Sequence, residues 1–207
     1  LSALHYLQPN YCEGKNMLQT AYHHIQTRAS FFPAVNTTRL PYMRVREKDK
    51  QITLHLHIPL NEDGVKEVEL SNTASARLGV RSEKMFAVIQ EMVVWIENRL
   101  SAPLSVQEIS RKSGYSVWHL QRTFNQLTGF SVYEFVRTRR VINVIYALIQ
   151  GDKPLLDVAL ENGFNCQVSF TRTIRELTGF TPGYIRRNFT LNNKRLISIL
   201  ESLITKK

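Results

Sequence analysis

Two sets of side chains, offset by fifty residues, carry the donor chemistry needed to read base edges. Trp118, Gln121, Arg122 and Asn125 recur at i, i+3, i+4 and i+7, and Val168, Thr171, Arg172 and Arg175 repeat that spacing, so each set lies along one stripe of a helix. An arginine fork matches O6 and N7 of guanine, the Gln and Asn amides match adenine, and apolar atoms of Trp or Val meet thymine methyls. Phosphate chemistry accompanies them. Ser116 precedes the first stripe, Arg137, Arg139 and Arg140 lie between the two, and Arg186 and Arg187 follow the second; arginines and helix N-termini set register on a phosphate backbone. A competing reading packs Trp118 in the core, pairs Arg122 and Arg172 with helix acids such as Glu108 or Glu161, and leaves the 137–140 cluster solvated.

The elements that must position these stripes are themselves duplicated. Leu127-Thr128-Gly129-Phe130 recurs as Leu177-Thr178-Gly179-Phe180, and Leu120, Arg122, Thr123, Phe124, Ser131 and Arg137 align with Phe170, Arg172, Thr173, Ile174, Thr181 and Arg187. Upstream the offset becomes 49, pairing Ile109, Ser110, Gly114 and Tyr115 with Val158, Ala159, Gly163 and Phe164. Such self-similarity marks two copies of one supersecondary unit. In the first copy Ser105 and Glu108 form a capping box, Gly114 ends a short helix in the left-handed conformation, Ser116 caps a second helix, and Gly129 stops it. In the second copy Pro154 opens the short helix, Gly163 ends it, Asn165 caps the next and Gly179 closes it. Helix, sharp turn, helix is the pattern whose second helix enters a major groove. Leu120, Phe124 and Leu127, with Phe170, Ile174 and Leu177, form the buried stripes opposite the donors. Between the copies, Ser131 to Gln150 is amphipathic, a rod of about 30 Å at the helical rise, close to the separation of successive major-groove faces.

Charge agrees with a polyanionic partner. The 207 residues carry a net charge of +10. Residues 1 to 80 hold nine Lys/Arg against seven Asp/Glu, and residues 81 to 207 hold eighteen against ten. Basic side chains that neutralise phosphates release counterions and supply most non-specific affinity, although a basic surface by itself also suits a merely solvated protein. The two cysteines, Cys12 and Cys166, give neither a zinc spacing nor a disulfide framework, as expected of a reducing compartment. No apolar run has membrane-spanning length and the N-terminus lacks a signal-peptide core, so a cytoplasmic, soluble chain is expected. The sequence opens on Leu1 rather than Met. No nucleophile beside a base, paired carboxylates or phosphate-cradling glycine loop points to an enzyme, and no cofactor is implied. The remaining alternative is a helical adaptor that binds protein, its basic face incidental.

At these residues the sequence resembles the DNA-binding region of the AraC/XylS family of bacterial transcription regulators, and within it the MarA, SoxS and Rob subgroup. The resemblance covers about residues 84 to 189. It rests on Trp95-Ile96-Glu97, the run Ser113 to Phe124, Tyr133 to Arg140, Gly163-Phe164, Thr171-Arg172-Thr173 and Gly179 to Pro182. It implies seven helices in two helix-turn-helix subdomains joined by a long helix, bound asymmetrically to about two turns of duplex DNA. It places Trp118, Gln121 and Arg122 on the first reading helix and Gln167, Val168, Thr171, Arg172 and Arg175 on the second. Val168, Cys166 and Ile174 depart from the commoner residues there. Activation through recruitment of RNA polymerase is implied by the resemblance alone.

The expected fold is thus a mainly α domain over residues 82–190 with two helix-turn-helix subdomains, a small α+β region over 1–80, and an amphipathic helix over 191–207. In the N-terminal region Met17 to Ala29 has helical spacing, Ile52 to Ile58 alternates as a strand, and Asn61 to Gly64 turns into a second strand, Val65 to Leu70. That region is a candidate effector-binding or dimerising module, and residues 71 to 82 read as a polar linker. His55 and His57 share a strand face and, with His23 or His24, are at most a weak metal set; no ligating Asp, Glu or Cys accompanies them. The terminal helix is expected to pack on the N-terminal region or to serve a partner; monomer and homodimer both remain open.

Overall fold

The computed structural model describes residues 40–48, 51–59, 64–71, 80–191 and 193–205. The expected helix over 17–29, Cys12, His23 and His24 lie outside these residues. Contacts place the described residues in one unit, Arg39–Lys207.

Three antiparallel strands come first, β1 (Tyr42–Lys48), β2 (Gln51–Pro59) and β3 (Val65–Ser71), in the spatial order β1-β2-β3. The last two were expected from their alternation. β1 was not, although Met43 and Val45 alternate with Arg44 and Arg46 in the same way. The register sets Leu54 opposite Val45 and Leu70, and Leu56 opposite Met43 and Val68, which gathers the aliphatic residues on one face. The other face carries Tyr42, Arg44, Arg46, Thr53, His55, His57 and Glu67. There His55 bonds Thr53 Oγ1 at 2.7 Å and Glu67 at 2.5 Å, and His57 stacks on Tyr42.

Eight helices follow among the described residues. α1 (Val80–Glu97) buries Met85, Ile89, Met92, Val93 and Ile96 along one stripe and packs on β1. The two copies are α2 (Val106–Ser113) with α3 (Val117–Thr128), and α5 (Leu155–Glu161) with α6 (Gln167–Thr178). The long helix α4 (Val132–Gln150) joins them, and α7 (Pro182–Asn188) and α8 (Lys194–Ile204) close the chain. The aliphatic sheet face, α1 and both copies share one hydrophobic core. Fully buried Phe124 and Phe170 anchor α3 and α6 in it, each contributing about 2 kcal/mol of apolar burial. The back of α3 rests on β2.

α8 places Leu196, Leu200, Leu203 and Ile204 in that core against α4 and α6, and Glu201 reaches Lys66 of β3 at 3.5 Å. Its apolar stripe is therefore occupied chiefly by the helical region, and the Lys66–Glu201 pair is a polar contact to the sheet. No helix among the described residues is long and apolar enough to cross a membrane.

Candidate nucleic-acid interface

Local chemistry fixes α3 and α6 in the same way at their C-terminal ends. Gly129 and Gly179 adopt φ of 76° and 78°, and their N–H groups donate to the carbonyls of Asn125 and Arg175. The threonine before each glycine completes the cap. Thr128 Oγ1 donates to the Phe124 carbonyl at 2.6 Å and accepts from the Phe130 N–H at 3.2 Å. Thr178 repeats this with Ile174 at 2.7 Å and Phe180 at 3.1 Å. The duplicated Leu-Thr-Gly-Phe is thus a stop signal that satisfies otherwise orphaned backbone groups.

The N-terminal ends differ. Ser116 accepts from the His119 N–H at 3.3 Å, a side-chain cap. In the second copy the capping position is Cys166, a thiol in place of the serine hydroxyl, rather than Asn165. Asn165 is the extra residue that changes the repeat offset from 49 to 50, so Cys166, not Asn165, stands opposite Ser116. The N–H groups of Ser169 and Val168 hold the exposed Cys166 thiol below its ordinary pKa. A further correction concerns Ser105 and Glu108. Ser105 accepts from the Glu108 N–H, but the Glu108 carboxylate lies 3.8 Å from Arg99, and the complete capping box is at Ser131 and Glu134, opening α4.

With those helices set, the two stripes face solvent. Trp118 is 67% exposed and Val168, its counterpart, 76% exposed, so neither belongs to the core. Arg122, Asn125, Gln167, Arg172 and Arg175 are exposed, and Gln121 and Thr171 partly so. Arg122 lies over the Trp118 ring, 5.2 Å from its centroid, a cation–π contact that keeps the guanidinium on the outer face. Arg172 pairs with neither Glu108 nor Glu161; its Nε donates to Glu176 at 2.8 Å, while Glu161 takes Lys153. Gln167, Val168, Thr171, Arg172, Arg175 and Glu176 line one open concavity. Glu176 is the residue there that sequence reasoning missed. It also accepts from Arg137 of α4, and the two arginines hold its carboxyl below the usual carboxylate range.

The phosphate candidates separate. Arg139 is fully buried: its guanidinium donates to Glu97 at 2.5 and 2.9 Å, to the Pro41 carbonyl at 2.7 Å and to Asn143 at 3.3 Å. No phosphate can reach it, and the expectation of a phosphate contact is overturned. Arg140 is also corrected: Nε donates to the Leu100 carbonyl at 2.9 Å and Nη2 to that of Ala102 at 2.7 Å, and burial lowers its pKa. Arg137 is committed to Glu176, with 27% of its side chain exposed. Arg186 is half-buried and donates to the Lys153 carbonyl at 2.6 Å. Ser116 and Arg187 remain exposed. Among the described residues no group of three His, Cys, Asp or Glu side chains could hold a metal ion.

Two helix-turn-helix units joined by one rod, each with an outward donor stripe, define a class of tandem helix-turn-helix domain. Residues 99–188 match the family model described as a helix-turn-helix domain. Over 101 residues the chain is 38% identical to the right origin-binding protein of Escherichia coli K12, covering 49% of this chain and 35% of that one. The transposon Tn10 TetD protein of Escherichia coli is 36% identical over 101 residues, 49% of this chain and 73% of its own length. The multiple antibiotic resistance protein MarA of Salmonella typhimurium is 37% identical over 94 residues, 45% of this chain and 74% of its own. The chain belongs to the AraC/XylS family of helix-turn-helix transcription regulators. It spans about a third of the length of the right origin-binding protein, the longer relative.

Proposed function

We propose that this chain binds duplex DNA sequence-specifically, seating α3 and α6 in successive major grooves on one face, and activates transcription by helping recruit RNA polymerase. The observation that carries the DNA reading is the pair of equivalent exposed stripes on helices with matching C-terminal caps and a common core. Trp118, Gln121, Arg122 and Asn125 serve the first half-site, and Gln167, Val168, Thr171, Arg172 and Arg175 the second. Ser116 and Arg187 contact phosphate, and the partly exposed Arg186 beside Arg187 on α7 adds positive field. Leu156 and Leu160, exposed on α5 beside Asp157 and Glu161, offer an apolar and acidic surface suited to a protein contact such as the polymerase.

Selection of bound duplexes from a random pool tests the DNA reading. The expected result is two half-sites centred about 10 base pairs apart, one helical turn. Equal affinity for every duplex removes the reading, and no binding even at low salt favours the protein adaptor. For the polymerase, transcription in a purified system with the selected site upstream of a promoter is expected to rise on adding the chain; a fall makes it a repressor.

A further inference from the structure

The two reading helices differ by one acid. Position 176 of α6 corresponds to Gln126 of α3, and only the second carries a carboxylate there. Glu176 is engaged from two sides. One oxygen accepts from Arg172 Nε, one helical turn earlier, and the other from Arg137 Nη2 on α4. Arg137 thereby ties the carboxylate to the linker helix, so it is not free to follow the arginine's motions.

An exposed arginine alone samples many rotamers, and its guanidinium serves a phosphate as readily as a base. Arg172 is 80% exposed at its side chain, yet its Nε is occupied. The two terminal amino groups are left for DNA, and that edge of the guanidinium is a parallel pair of donors with the spacing of guanine O6 and N7. A carboxylate at the root of the fork also repels phosphate. It therefore favours a contact with a base edge deeper in the groove over one with the strand backbone.

We infer that Glu176 is a specificity-determining positioning residue of the second reading helix: braced by Arg137, it holds Arg172 so that its terminal amino groups address a guanine. This rests on the DNA-binding reading above. In the first unit Arg122 is oriented instead by the Trp118 ring, so the two half-sites are read by arginines held in chemically different ways.

The test is duplex selection with the full chain and with Arg172→Ala, Glu176→Gln and Arg122→Ala, followed by titration of the winning duplex and of single-base replacements across both half-sites. The wild type is expected to prefer guanine at one second-half position by about tenfold or more. Arg172→Ala abolishes that preference. Glu176→Gln lowers it about three- to fivefold, leaves the first half-site untouched, lowers the melting temperature at neutral pH by no more than about two degrees, and steepens the salt dependence by about one phosphate equivalent as an arginine is released. A wild-type guanine preference in Glu176→Gln overturns the inference, as does equal loss at both half-sites with a melting temperature lowered by more than about five degrees. Selection of first-half sequence alone also sinks it while leaving DNA binding standing, whereas failure of every protein to enrich any duplex sinks both.

Discussion

Gly114 caps α2, whereas α5 ends at Glu161 with Asn162 as its cap and the left-handed glycine, Gly163, one residue further on; the two glycines share φ of 74° and 76°, and their surroundings have little in common. A Cβ on Gly114 meets nothing within 4 Å, whereas one on Gly163 would lie 2.7 Å from the Leu100 carbonyl oxygen and 2.8 Å from the Arg140 guanidinium. Arg140 spans from α4 to the carbonyls of Leu100 and Ala102, ahead of the first unit. The second turn is therefore wedged against a junction that also holds the first unit, while the first turn opens to solvent. One backbone instruction has been used twice, but only the second use fixes the units to each other. The reading sides diverge too, with a ring beneath Arg122 and a carboxylate beside Arg172.

The largest expected effect separates the two glycines. Gly163→Ala combines a left-handed alanine with overlap onto backbone and is expected to cost about 3 kcal/mol, against about 1 kcal/mol for Gly114→Ala, where only the backbone conformation is at issue. Urea denaturation of both variants measures it; equal losses would break the contrast. Next come the reading stripes. Trp118→Ala and Arg122→Ala are each expected to weaken specific binding by about 1–3 kcal/mol through first-half bases only, and Arg172→Ala by a similar amount through the second half. Binding to half-site-scrambled duplexes checks the assignment.

Arg137 and Arg187 occupy equivalent places in the repeat, and a smaller difference is expected there. Arg187→Ala should lower the salt slope of binding by about one unit for all sequences, whereas Arg137→Ala, already paired with Glu176, should leave it nearly unchanged. The smallest effect is a pH dependence confined to the second unit. Because its partners depress the Glu176 pKa, the pairing stabilises the fold above the ordinary carboxylate pKa and is lost as pH falls through the depressed value. The melting temperatures of wild type and Glu176→Gln should therefore converge on acidification below about pH 4. Gln126→Glu places a carboxylate one turn after Arg122 but without Arg137, which is taken by Glu176, and should give a weaker pH dependence in the first unit.

Much of this was legible because it is local. Glycine and serine caps, the period of Leu120, Phe124 and Leu127, and the alternation of Leu54, Leu56 and Ile58 act within a turn or a strand, so the helices, β2, β3 and the outward stripes follow from spacing. The burial of Arg139 does not. Its partners Glu97 and Pro41 lie 42 and 98 residues away, and a charged residue on an amphipathic helix looks the same whether its neighbour is water or a distant carboxylate. Glu176 was missed for a related reason: its significance needs Arg137, 39 residues earlier on another helix. Cys166 as the capping position was available, since the shift in offset already marked Asn165 as the insertion. β1 was available as well, through the alternation of Met43 and Val45 with arginines.

Within α4, Arg139 grips Glu97 and the Pro41 carbonyl, and Tyr146, two turns further on, donates to the Pro59 carbonyl at 2.8 Å. A beam clamped at two stations along its length is prevented from rolling about its own axis. It then acts as a gauge of angular phase as well as of length. A duplex with one base pair added between half-sites puts the second about 34° out of phase and 3.4 Å away. On the proposed seating of α3 and α6 in successive grooves, a rod that cannot roll passes that mismatch to the DNA as over- or undertwisting, and the torsional stiffness of the intervening base pairs would become part of how a site is chosen.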